Sequence, residues 1–102
     1  MTNDLVRMTA REIRYRLHDR VVSPQELLDA LAARIETVDP SVNALPTLCF
    51  ERAAERARVQ DFSGTPLKGL PIAIKDLIAV AGVRTTWGSK IYEHHVPTHS
   101  DL

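Results

Sequence analysis

The sequence predicts an α/β fold, present only in part: N-terminal helices followed by the first strand of a sheet. Three observations lead there. Two early stretches carry helix-start signals and apolar residues at helical spacing. A third stretch is rich in Ala, Arg and Glu. From Leu70 the chain then becomes a dense apolar run with β-branched residues, as in a buried strand. No linker separates the two kinds of sequence. A helical part at about 9–61 and a strand-and-loop part at about 69–102 therefore read as one portion of a single domain, with helices laid on a sheet.

The first helix starts at Thr9, where Glu12 three residues on completes a capping box, and Ile13 and Leu17 form its apolar stripe. The start of the second is stronger. Ser23 accepts from an orphan amide of the first turn, Pro24 sits where no amide is needed, and Glu26 closes the box. Leu27, Leu28, Leu31, Ile35 and Val38 then fall on one broad face, and Asp39-Pro40 is expected to end the helix. Residues Asn43 to Cys49 read equally as a short strand broken by Pro46 or as a loop packed on the core. The third helix, roughly Phe50 to Gln60, offers a small face of Ala53, Ala54 and Ala57, with Arg52, Glu55 and Arg56 turned to water. Ser63-Gly64-Thr65-Pro66 is a turn. Only one convincing strand appears, and a lone strand makes no sheet, so physics alone suggests a fragment that borrows its sheet from residues not present.

Bulk properties exclude several function classes. Thirteen Lys+Arg balance thirteen Asp+Glu over 102 residues, which argues against a nucleic-acid-binding module. The Arg-rich first helix is interleaved with Glu12 and Asp19 and reads as a solvated face. Cys49 is the sole cysteine, so no internal disulfide forms and a reducing compartment is expected. The start of the chain has no apolar signal core, and no apolar run approaches the roughly 18 residues of a membrane span. The expected location is the cytoplasm, with no membrane partner.

Lys75 and Asp76 interrupt the apolar run Leu70-Pro71-Ile72-Ala73-Ile74-Lys75-Asp76-Leu77-Ile78-Ala79-Val80. On a strand, side chains alternate faces, so Leu70, Ile72 and Ile74 share one side and Pro71, Ala73 and Lys75 the other. Lys75 then lies at the C-terminal end of its strand, where ligand sites of α/β sheets gather. A buried ammonium tends to give up its proton, and a neutral amine serves as a general base. The plain alternative is a strand-end lysine paired with Asp76 or reaching water.

Gly69-Leu70-Pro71-Ile72-Ala73-Ile74-Lys75-Asp76, followed by Ala81-Gly82, Thr85-Thr86 and Gly88-Ser89, closely resembles the amidase signature family. The Ser-Pro start of the long helix, the Asn43-Ala44 step and Val96-Pro97 also sit where that family has them, so the resemblance covers roughly Leu17 to Leu102. It implies the mixed-sheet amidase signature fold and hydrolysis or transfer of amides by a serine nucleophile, a second serine preceded by a cis peptide bond, and a lysine. The family lysine falls on Lys75. Asp76, Thr86, Gly88 and Ser89 match motif positions and are expected to shape the lysine strand and the loop after it. The partner is a small-molecule amide, no cofactor or metal is needed, and homo-oligomerisation of the intact protein stays open. The two serines belong to a Gly-Ser-rich segment that this sequence lacks, so the chain alone is expected to be inactive.

His94, His95 and His99 invite a metal reading, but Pro97 between the last two argues against a helical ligand pair, and a solvated loop is the simpler reading. Trp87 and Tyr92 read as packing residues, and Cys49 as a small buried apolar group. Against the enzyme stands a reading from another class, a non-catalytic remnant or helical interaction module. A reading frame that continues into a Gly-Ser-rich stretch would favour the enzyme, and a stop codon after Leu102 the remnant.

Overall fold

The computed structural model describes residues 2–101, which divide into two compact units at Pro71/Ile72. The first unit is helical. A short helix α1 (Thr2–Leu5) precedes α2 (Ala10–His18), α3 (Pro24–Val42) and α4 (Phe50–Val59). Both capping boxes form as the sequence predicts. The Glu12 amide donates to Thr9 Oγ1 at 3.2 Å, and the Thr9 amide donates to Glu12 Oε2 at 2.7 Å. At α3, the Glu26 amide donates to Ser23 Oγ at 3.1 Å and the Ser23 amide to Glu26 Oε1 at 3.2 Å, with Pro24 in the first turn.

The end of α3 corrects the sequence expectation. Pro40 lies inside the helix, which continues to Val42. Its missing N–H forfeits one bond, the one to the Glu36 carbonyl, within the last turn. Termination comes at Asn43, in the left-handed conformation at φ 54°, a geometry that Asn tolerates. Asp39 closes the end: its carbonyl accepts from the Asn43 amide at 2.6 Å and its Oδ1 from the Ala44 amide at 2.8 Å.

The core of this unit is Leu17, Val22 and Leu27, with Leu5, Ile13 and Leu70 packed on it. Leu28 and Ala30 are also buried, while Leu31, Ile35 and Val38 are half-buried along the same broad face of α3. Helix α3 packs against both α4 and α1. The alanine face of α4 is half-buried, and Arg52, Glu55 and Arg56 are exposed. Cys49, expected inside, is exposed at the start of α4, because residues 43–49 run as an irregular surface connection. Gly69 marks the tightest approach. Its φ is +92°, and a Cβ there would stand 2.8 Å from Pro24 Cγ and 3.1 Å from Phe62 Cδ2.

The second unit is built of loops and one short 3-10 helix (Lys90–Tyr92). Its two arms run antiparallel, with a one-residue slip of register at Gly82/Pro97. The Asp101 amide donates to the Ala79 carbonyl, Gly82 to Pro97, and Thr85 to His95, each at 3.0 Å. Side chains fill gaps between these bonds. Asp101 Oδ2 accepts from the Ala79 amide at 2.7 Å and Ser100 Oγ from the Ala81 amide at 2.9 Å. Among the described residues no strand forms, including the stretch from Leu70 to Lys75 where the sequence places one. A strand is stabilised by its ladder, and residues 72–74 have no backbone partner among the described residues. Ile72, Ile74 and Leu77 are consequently exposed.

Candidate functional site

The turn after residue 74 carries the polar pair. The Ile78 amide donates to the Lys75 carbonyl at 3.0 Å, which closes the turn and sends Asp76 toward the loop at 86–88. Lys75 is exposed, and its ammonium group has no hydrogen-bond or ion-pair partner among the described residues. It does not pair with Asp76 and it reaches solvent, so of the plain alternative the ion pair does not hold and the water-reaching lysine does; the burial that would favour a neutral amine is absent among the described residues.

Asp76 is engaged elsewhere. Its Oδ1 accepts from the Thr86 amide at 2.7 Å, and its Oδ2 accepts from the Thr86 hydroxyl. The same hydroxyl oxygen accepts from the Gly88 amide at 3.2 Å, and the Thr86 carbonyl accepts from the Ser89 amide at 3.0 Å. The Thr86 hydroxyl, then the Thr86 amide, hold the Asp76 carboxyl below its ordinary value. Arg84 and the Trp87 amide add to this, and desolvation opposes it. Thr85 and Thr86 are the buried polar residues among the described ones, at 2% and 8% exposure. Trp87 and Gly88 follow with φ of 51° and 73°, so the loop doubles back directly after Thr86. Ser89 then caps the 3-10 helix, its Oγ accepting from the Ile91 amide at 3.3 Å. Of the five motif positions, Asp76, Thr86, Gly88 and Ser89 thus form one hydrogen-bonded cluster, and Lys75 is attached to it through the chain.

Trp87, Tyr92 and His95 pack around one another. The indole meets the phenol ring edge-on at 5.0 Å and the tilted imidazole at 5.2 Å. The packing role expected for the two aromatics is what the structure shows, and His95 joins them. The three histidines have separate neighbours: His94 lies 3.9 Å from Glu93, His95 is in the aromatic cluster, and His99 Nδ1 is 2.9 Å from the Thr98 hydroxyl. Among the described residues no group of three His, Cys, Asp or Glu is placed to hold a metal. Sequence reasoning missed Ser100 and Asp101, whose side chains tie the end of the second arm to residues 79–81. No local pattern marks them, since their partners lie about twenty residues away.

A recess of about 510 Å³ in the first unit is bordered by His18, Arg20, Glu26, Asp61 and Lys68, and none of Lys75, Asp76, Thr86, Gly88 or Ser89 lines it. Its charges are of both signs, so it favours no one ligand class.

A sequence profile of the Amidase family matches residues 26–102. A glutamyl-tRNA(Gln) amidotransferase subunit from Caldanaerobacter subterraneus subsp. tengcongensis is 38% identical, over 95% of this chain and 21% of the relative. The corresponding subunits from Thermus thermophilus and Geobacter metallireducens are 44% and 40% identical, over 90% and 94% of this chain and 19% and 21% of their own lengths. The chain thus spans about a fifth of the curated relatives it matches. No solved structure matches. No helix among the described residues is long and apolar enough to cross a membrane. With a family profile aligned over three quarters of its length, on the stretch that holds the Lys75–Ser89 cluster, the chain belongs to the amidase family.

Proposed function

We propose that this chain supplies the lysine of an amidase active site, with Lys75 as the general base for cleavage of an amide C–N bond. The observation that carries the reading is the position of Lys75. It follows the apolar run, lies inside the family-matched region, and is free of the carboxylate beside it. In the Ser–cis-Ser–Lys scheme that the resemblance implies, the nucleophilic serine loses its proton through the bridging serine to the neutral Lys75 amine. The serine oxygen bonds to the amide carbonyl carbon. Collapse of the tetrahedral intermediate breaks the C–N bond, and the leaving nitrogen takes up the proton.

The relatives' names support amide-nitrogen transfer alongside simple hydrolysis. A small amide is the substrate in either case. The mixed-sheet fold of the family is the proposed setting, with residues 70–75 as a strand once a ladder partner is present. A cytoplasmic location fits the single free thiol, Cys49.

The test is Lys75→Ala in the protein encoded by the complete reading frame, assayed on simple carboxamides and on glutamine-dependent transfer. A fall of several orders of magnitude in kcat/KM is expected if base and nucleophile act as a unit. Wild-type kcat/KM in this variant would reject the assignment.

A further inference from the structure

A lysine followed directly by an aspartate is a poor design for a base unless the two are kept apart. An ion pair favours the charged form of both partners, so a carboxylate resting on the amine would hold the proton that catalysis must move. In a strand, neighbouring side chains point to opposite faces. Asp76 lies in a turn, where that separation is not enforced. Something else must hold the carboxylate away.

The structure shows what does. Both oxygens of Asp76 are taken by Thr86, one by its amide at 2.7 Å and the other by its hydroxyl. Thr86 is itself fixed. It is 8% exposed, its hydroxyl oxygen accepts from the Gly88 amide at 3.2 Å, and its carbonyl accepts from the Ser89 amide at 3.0 Å. On the lysine side, the Lys75 carbonyl is held by the Ile78 amide. The charged side chain acting on Asp76 is Arg84, and no ion pair joins Asp76 to Lys75.

We propose that the Thr86 clamp keeps the Asp76 carboxylate from pairing with Lys75, which makes Asp76 and Thr86 positioning residues for the proton-accepting amine. This rests on the reading of Lys75 as the base. A valine at 86 keeps the shape and the amide but loses the hydroxyl, and one carboxylate oxygen becomes available to the lysine. A serine keeps both donors.

The test is a double-mutant cycle read on the Asp76 carboxyl, whose ¹³C shift is followed through an acid titration of the protein encoded by the complete reading frame. With Thr86 present, Lys75→Met leaves the Asp76 midpoint in place within error. With Thr86→Val, Lys75→Met raises the midpoint by roughly 0.2–0.7 pH unit, the scale of an exposed ion pair that has been lost. Thr86→Ser behaves as wild type. A clamp that merely braced the loop would give the Val variant no new coupling to Lys75. The proposal is overturned if Lys75→Met raises the Asp76 midpoint as far with Thr86 intact as with Val. A rise with Thr86 intact overturns it without the Val variant, and Thr86→Ala, which also lacks the hydroxyl, takes the place of Val should that variant fail to fold. The readout is independent of catalysis, so an active Lys75→Ala enzyme would remove the base reading without touching the cycle.

Discussion

Asp76 shows how much rests on one side chain in the second unit. Its carboxyl titrates below the ordinary value because Thr86 donates to the ionised form. The stabilisation is therefore fully present above the unfolded value of about 3.9 and is lost as pH falls through the lower, folded value. Asp61 behaves alike in the first unit, held down first by the Ser63 amide, which donates at 2.9 Å, then by the Ser63 side chain, with Arg20 adding. The protection of the Gly88 and Ser89 amides against hydrogen exchange, relative to their intrinsic rates, should thus fall in acid below about pH 4. Asp76→Asn should show the lower protection already at neutral pH. Gly69 is the other sensitive position. An alanine there meets both a positive φ and the Pro24 ring at 2.8 Å, so Gly69→Ala should destabilise the first unit by more than about 1 kcal/mol in urea unfolding.

Among the elements, the capped starts of α2 and α3 and both bounds of α4 were legible, while α1 and the end of α3 were not. Thr9/Glu12 and Ser23/Glu26 are each other's partners within four residues, so sequence alone holds the whole interaction. Ser23→Ala should cost about 1 kcal/mol, with Ser23→Asp retaining most of the cap, as read by helix ellipticity during thermal unfolding. The Asp39-Pro40 stop failed because a proline in a last turn forfeits one bond, while Asn43 and the Asp39 carboxylate together finish the helix two residues on. Pro40→Ala restores that amide and should raise the melting temperature, by a fraction of the about 3 kcal/mol that an interior proline costs. The strand over residues 70–75 was predicted from composition and alternation, yet its ladder depends on a partner outside those residues. Periodicity specifies which face a residue takes, not whether a neighbour is there to bond it. The motif cluster lay between these cases. The types and spacing of Asp76, Thr86, Gly88 and Ser89 were readable through the family resemblance, but the carboxylate-to-Thr86 bonding needed coordinates.

At the scale of the whole molecule, the buried apolar set among the described residues is small: Leu17, Val22, Leu27, Leu28, Ala30 and Ala79. Ile72, Leu77 and Ile91 meanwhile stand 64%, 59% and 87% exposed. A chain of this length that leaves large apolar side chains in water has little margin over its conformational entropy. The isolated chain should melt broadly at low temperature and bind a hydrophobic dye. A sharp cooperative transition of the monomer, without dye binding, would contradict this.

The aromatic cluster and the helices give the molecule two separate optical signals. Trp87 is the sole tryptophan, and it lies in the second unit against Tyr92 and His95. The α-helices among the described residues, α1 to α4, lie in the first unit. Indole emission therefore reports the lysine-bearing loops, and ellipticity at 222 nm reports the helices. Denaturation followed with both lights shows directly whether the amidase motif holds its shape after the helices have gone, or before they have formed.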